Sequence, residues 1–140
     1  MLDLDQVDST AVNAGSWLTV DVPPALDDGT PMRIKLLGVD SDAYLKAAAE
    51  YRRTLAKHKL TVGDESQVGR EADVLLYATV TLAWEGVTKG GASWPCSREN
   101  VCRLYATQPW VIRQVRAFVV TDANFIQALP QTPQETRPES

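Results

Sequence analysis

The chain has 140 residues, 44% of them hydrophobic, with 14 Lys and Arg against 18 Asp and Glu for a formal net charge of −4. That length suits one domain around one core, the acidic balance argues against nucleic acid as a partner, and no apolar run approaches the ~18 residues that a membrane span needs. Cys96, Cys102 and the single histidine, His58, match no common zinc spacing, so both thiols are expected to stay reduced and to fill a helix face.

Met1 to Asp8 carries Asp3, Asp5 and Asp8 and no basic residue, the opposite of a signal peptide's positive start. Residues 1–15 are polar, acidic and without hydrophobic period, and are expected to form a mobile arm. A single α+β domain is expected over 16–129. Leu18, Val20 and Val22 alternate with Thr19 and Asp21 until Pro23 and Pro24, and Met32, Ile34 and Leu36 alternate with Arg33 and Lys35. Both runs have the two-residue period of a half-buried strand, which predicts a hairpin over 16–38 with a long connection through Asp28 and Gly29.

Asp40 or Ser41 can cap a helix over about 41–59. In it Tyr44, Ala48, Tyr51 and Leu55 recur at spacings of four and three and share one apolar stripe. Lys46, Arg52, Arg53, Lys57 and Lys59 cluster there, a group that could meet an acidic surface, although the better reading is a solvated face favoured by the helix dipole. After a loop at Gly63 and Asp64, a second helix is expected over 68–84. Val80 and Thr81 are β-branched and Val74 to Tyr77 would suit a buried strand, but the length favours helix. Gly86, Gly90, Gly91 and Pro95 mark a flexible stretch. Ser97 caps a third helix, 98–107, carrying Val101, Leu104 and Tyr105. Pro109 opens a fourth, 109–125, whose stripe is Val111, Val115, Phe118 and Val119. Residues 130–140 are expected to be a disordered tail. The fold class is therefore mainly α with a small N-terminal β-hairpin, a four-helix α+β domain with mobile ends.

Nothing in this order assembles a catalytic constellation. His58 has no nucleophile beside it, and a helix start after Cys96 could lower that thiol's pKa only within an assembled pocket. The carboxylate pairs Asp27–Asp28, Asp64–Glu65 and Glu71–Asp73 fall in loops or at a helix start, where turn geometry and the helix dipole already explain them. Asp40-Ser41-Asp42 lacks the glycine of a calcium loop, and Gly90-Gly91 lacks the lysine of a phosphate cradle. No enzyme activity, cofactor or metal is expected. The conspicuous feature is aromatic: Trp84, Trp94 and Trp110 gather around a glycine-rich segment, and tryptophan is enriched at binding hot spots. Each ring also has a core reading.

The order Trp84-Glu85-Gly86-Val87, Gly90-Gly91, Trp94-Pro95-Cys96-Ser97-Arg98-Glu99-Asn100, Pro109-Trp110 and Asp122-Ala123-Asn124-Phe125 resembles the C-terminal half of the tail assembly chaperones of long-tailed bacteriophages. The resemblance covers the last third to half of the chain. It implies a protein that binds the tail tape-measure protein, with the tail-tube protein as a further partner, and keeps it soluble in the host cytoplasm without entering the mature virion. The residues expected at that contact are Trp84, Gly86, Trp94, Pro95, Trp110 and Phe125. Neither nucleic acid nor membrane is an expected partner, and homo-oligomerisation stays open. A structural virion protein, a minor tail or head-tail connector component, is the alternative.

Overall fold

The structure is a computed structural model and describes residues 1–128; the expected tail at 130–140 lies outside the described residues. The first fifteen residues carry structure where an arm is expected: a 3-10 turn at Leu4–Gln6, the strand β1 (Val7–Asp8) and the short helix α1 (Ala11–Ala14). Short polar side chains set these turns. The Asp3 carboxylate accepts from Asp5 N at 3.0 Å, and Asp8 accepts from both the amide and the hydroxyl of Thr10, at 2.9 and 2.7 Å, which holds its carboxyl below the ordinary range. Such side-chain to backbone bonds leave no trace in hydrophobic period. Asn13 then reaches forward, its Oδ1 accepting from Asp42 N at 3.0 Å.

The predicted hairpin is present. β2 (Ser16–Thr19) pairs antiparallel with β3 (Arg33–Leu36), Ser16 opposite Leu36 and Thr19 opposite Arg33. Met32, Ile34 and Leu36 are buried while Arg33 and Lys35 keep partial exposure on the other face, as the alternation requires. Ser41 is the cap of the next helix, α2 (Asp42–Lys57): its hydroxyl accepts from Tyr44 N at 3.1 Å and donates to the Gly38 carbonyl at 2.7 Å. The helix stops two residues short of expectation because Lys59 turns left-handed, φ 56°, and Leu60 N closes back on the Leu55 carbonyl at 2.8 Å.

The second expected helix divides. α3 (Gln67–Thr79), capped by Ser66, ends before Val80, and β4 (Thr81–Glu85) joins β3 as the third strand of a β2-β3-β4 sheet. β-Branched Val80 and Thr81 favour that exit, and the open edge of β3 supplies the partner that a helical reading of 80–84 would leave unpaired. The Thr81 hydroxyl fixes the corner, donating to the Tyr77 carbonyl at 2.8 Å and sharing a 2.7 Å hydrogen bond with the Tyr105 hydroxyl. The expected flexible stretch is a second hairpin, β5 (Thr88–Lys89) and β6 (Ala92–Ser93), turned through Gly90 and Gly91, whose φ values of 62° and 81° are what a two-residue turn of this kind demands.

Ser97 caps α4 (Arg98–Thr107) and Pro109 opens α5 (Pro109–Val119). The last helix is shorter than the expected 109–125. Past Val119 the chain makes a 3-10 turn at Asp122–Asn124, the Asn124 side chain donates to the Phe118 carbonyl at 2.9 Å, and Phe125 folds back against Phe118 with ring centroids 5.5 Å apart. A two-residue strand β7 (Gln127–Ala128) pairs with β1. The described residues thus hold five α-helices, not four, with the three-stranded antiparallel sheet, a mixed α+β fold. α3 is the hub, packed on α2, α4 and α5. The core fills the space between sheet and helices with Ile34, Leu36, Val80, Tyr105, Val111 and Val115 at its most enclosed points.

Candidate protein-binding surface

Four of the six expected contact residues share one neighbourhood. Trp84 lies on β4, not at a helix end, opposite Ile34 of β3. Its indole N–H donates to the Trp94 carbonyl at 2.6 Å, and the two rings stack 5.5 Å apart with planes 26° from parallel. The Lys89 ammonium stands 5.4 Å from the Trp94 ring centroid, within cation–π range. Gly86, φ 74°, is the pivot between β4 and the β5–β6 hairpin, where a Cβ would lie 2.1 Å from the Pro31 carbonyl oxygen. Pro95 follows on the surface, and its carbonyl accepts from the Asn100 side chain at 2.9 Å. Both tryptophans are partly buried against the core, so the pair braces the hairpin to the sheet while leaving part of each ring at the surface.

Trp110 and Phe125 stand elsewhere. Trp110 occupies the first turn of α5, half-buried, with its N–H donating to the Gln108 side chain at 2.9 Å. Phe125 is 2% exposed, enclosed by Phe118 and Gly38. That burial removes Phe125 from the expected contact surface: its ring is a core element holding the segment after α5 to the β3–α2 corner.

A feature unmarked by the tryptophans is an open groove of about 1100 Å³ along α3, α4 and α5. Its apolar floor is Val74, Leu75, Cys102, Ala106, Pro109 and Ile112, and its rim carries both signs of charge, Asp64, Glu65 and Glu71 together with Arg70 and Arg113. Arg116 and Asp73 bridge its wall at 2.8 Å, and the Arg116 guanidinium lies 5.7 Å from the Tyr77 ring centroid. Burial pushes the Tyr77 phenol up to about 12, and burial followed by the neighbouring Asp73 carboxylate raises Tyr51. The signal for this groove was the run Val74-Leu75-Leu76-Tyr77. A helix buries one stripe, so four consecutive apolar residues put at least one outside, and Leu75 is 51% exposed.

The groups weighed for chemistry have structural surroundings. His58 is exposed at the end of α2. Burial raises the Cys96 thiol, opposite to the activation that a helix start would give. Asp27 and Asp28 accept from the amides of Gly29 and Thr30, Asp64 from Ser66 N and Glu71 from the Gln67 side chain. Among the described residues no three His, Cys, Asp or Glu side chains converge as a metal site would require, and no helix is long and apolar enough to cross a membrane. Compared with known protein families, curated proteins and solved structures, the chain matches none.

Proposed function

We propose that this protein is a phage tail assembly chaperone that holds the tape-measure protein soluble in the host cytoplasm while the tail-tube protein assembles around it. The observation that carries the reading on the structural side is the α3–α4–α5 groove: an apolar floor with a two-signed rim suits one amphipathic helix laid along it. Tape-measure proteins expected from the resemblance are long and helical, and their apolar stripes associate when left uncovered. The half-exposed Trp84–Trp94 pair adds a rigid aromatic edge at a second point on the surface. Release is compatible with such a contact, since an open groove encloses only one side of its ligand.

Co-expression tests this directly. The tape-measure protein should stay in the soluble fraction with the unmodified chain and co-purify with it, and Ala106→Glu, an exposed change on the groove floor, should return it to the pellet while the variant itself melts normally. Failure of the unmodified chain to solubilise any tape-measure segment would overturn the assignment. The second reading, a structural virion component, draws support from the outer edges of β2 and β4, which pair with no further strand among the described residues and offer a neighbour's sheet a place to add strands. Detection of the chain in purified particles would favour it.

A further inference from the structure

A second groove, of about 490 Å³, lies between α2 and α3. Its floor is made of small side chains, Ala43 and Ala47 from α2 and Ala72 from α3, with Leu76 beneath and Leu75 as one wall. Small residues let a third helix approach near the short end of the usual ~8–10 Å interaxial range. From Ala43 to Thr54 the α2 side of the groove runs about 16 Å at the normal rise per residue, close to three helical turns. That length matches a docked helix of about three turns.

The charge on this groove is one-sided, unlike that of the larger one. Lys46 and Arg98 line it, and neither has a carboxylate partner among the described residues. The one acidic residue lining it, Glu50, is already paired with Arg53. Arg98 is held in place by donating to the Thr79 hydroxyl at 3.3 Å, at the C-terminal end of α3. α2 and α3 are packed neighbours joined by a short loop, hence antiparallel, so the Thr79 end of α3 adjoins the end of α2 that carries Lys46. Two free cations therefore converge at one end of an apolar trough. Lys57, exposed on α2 three residues past Thr54, lies outside the lining and carries a further positive charge beyond that end of the groove. On a chain of net charge −4 this is a local reversal of sign.

We propose that the α2–α3 groove docks an acidic amphipathic helix of a partner protein, its apolar side chains on the alanine floor and against Leu75, its carboxylates on Lys46 and Arg98. This goes beyond the tape-measure reading, because it concerns a different groove and selects its ligand by charge. The apolar floor sets the class of ligand: a free phosphate or a nucleic-acid backbone would engage the cations and leave the trough uncovered, whereas a helix satisfies both.

The test is fluorescence anisotropy with two labelled helical peptides on the full chain. Both carry Leu at i, i+3, i+4 and i+7, one with Glu and the other with Lys at the remaining positions. The Glu peptide should bind and weaken as salt rises, and the Lys peptide should bind about tenfold or more less tightly. Lys46→Glu combined with Arg98→Glu should weaken the Glu peptide about tenfold or more while the melting temperature holds, since both side chains are exposed; should that double variant fail to fold, Lys46→Gln gives the same reading in smaller measure. Ala106→Glu, in the larger groove, should leave this binding unchanged. Equal binding of the two peptides, no binding of either, or loss of binding only with Ala106→Glu would overturn the proposal. So would a wild-type dimer that the charge reversal dissolves in the absence of peptide, since the occupant would then be a second copy of this chain.

Discussion

Trp84 gives its indole proton to the backbone carbonyl of Trp94, 2.6 Å away, so the two tryptophans are joined by a directed bond as well as by their stacked faces. The consequence is mechanical: the β5–β6 hairpin is fastened to the central sheet through side chains. Removing the Trp94 ring takes away the stack and the surface it covers, and Trp94→Ala is expected to lower stability by about 2 kcal/mol, less than for a fully buried tryptophan. Trp84→Phe keeps much of the stack and loses the hydrogen bond, for about 1 kcal/mol. Urea unfolding measures both, and a Trp94→Ala midpoint equal to the wild type would show that the stack contributes nothing.

Glycine to alanine inside a helix ordinarily gains about 1 kcal/mol. At Gly69 of α3 the sign should reverse, because a Cβ there would meet the Asp64 carbonyl oxygen at 2.3 Å, and a loss of about 1–3 kcal/mol is expected. Gly86→Ala combines a left-handed backbone, φ 74°, with a 2.1 Å approach to the Pro31 carbonyl oxygen and should be the more damaging, about 3 kcal/mol or more. Gly91→Ala, at φ 81° with open space around it, isolates the backbone part at about 1–2 kcal/mol. The order Gly86, Gly69, Gly91 in chemical denaturation is the checkable outcome.

Ser41 is fully buried and uses its hydroxyl twice, towards Tyr44 N and the Gly38 carbonyl. Ser41→Ala therefore removes a helix cap and frees the Tyr44 amide, while the Gly38 carbonyl keeps the residue-41 backbone amide as its donor at 3.0 Å, an expected loss of about 1–2 kcal/mol. Asn13→Ala should cost less, about 1 kcal/mol, by freeing the Asp42 amide that Asn13 accepts from. Hydrogen exchange at the first turn of α2 should quicken in both variants. Unchanged exchange in Asn13→Ala would mean that the N-terminal segment does not hold α2.

Alkaline pH should find a weak point in the buried phenols. Tyr77 is raised from the ordinary value of 10.0 to about 12, first by burial and then by the Tyr44 phenol, and Tyr105 is raised by burial. Above pH 10 the unfolded chain releases the Tyr77 proton while the folded chain retains it. Its contribution is thus complete below pH 10 and lost as pH climbs through about 12. Urea midpoints taken from pH 8 upward should stay level and then fall, and Tyr77→Phe should flatten part of that fall. A Tyr77→Phe profile parallel to the wild type above pH 10 would reject the assignment.

Much of the fold was legible where one physical rule governed one segment. Alternation placed β2 and β3, side-chain caps at Ser41 and Ser97 placed α2 and α4, and Pro109 placed the start of α5. Errors arose where a distant partner decided. Residues 81–85 form β4 against β3, where length alone read 80–84 as helix, and Phe125 turns back on Phe118 and Gly38, so an aromatic past α5 expected at a contact is core. The tryptophans drew attention to the sheet, but the two grooves are made from modest residues, alanines and one exposed leucine on four helices, whose convergence no linear spacing reports.

Leu75 lines both grooves. It is a single side chain forming the partition between two compartments, and with half its surface in solvent it has freedom to change rotamer. Any occupant that turns this leucine towards itself reshapes the wall offered to the other occupant. Linkage then makes the effect mutual: whatever factor the first ligand imposes on the second, the second imposes on the first. An occupant that leaves Leu75 where it stands imposes no such factor, so the position of this one side chain decides whether the two grooves bind independently.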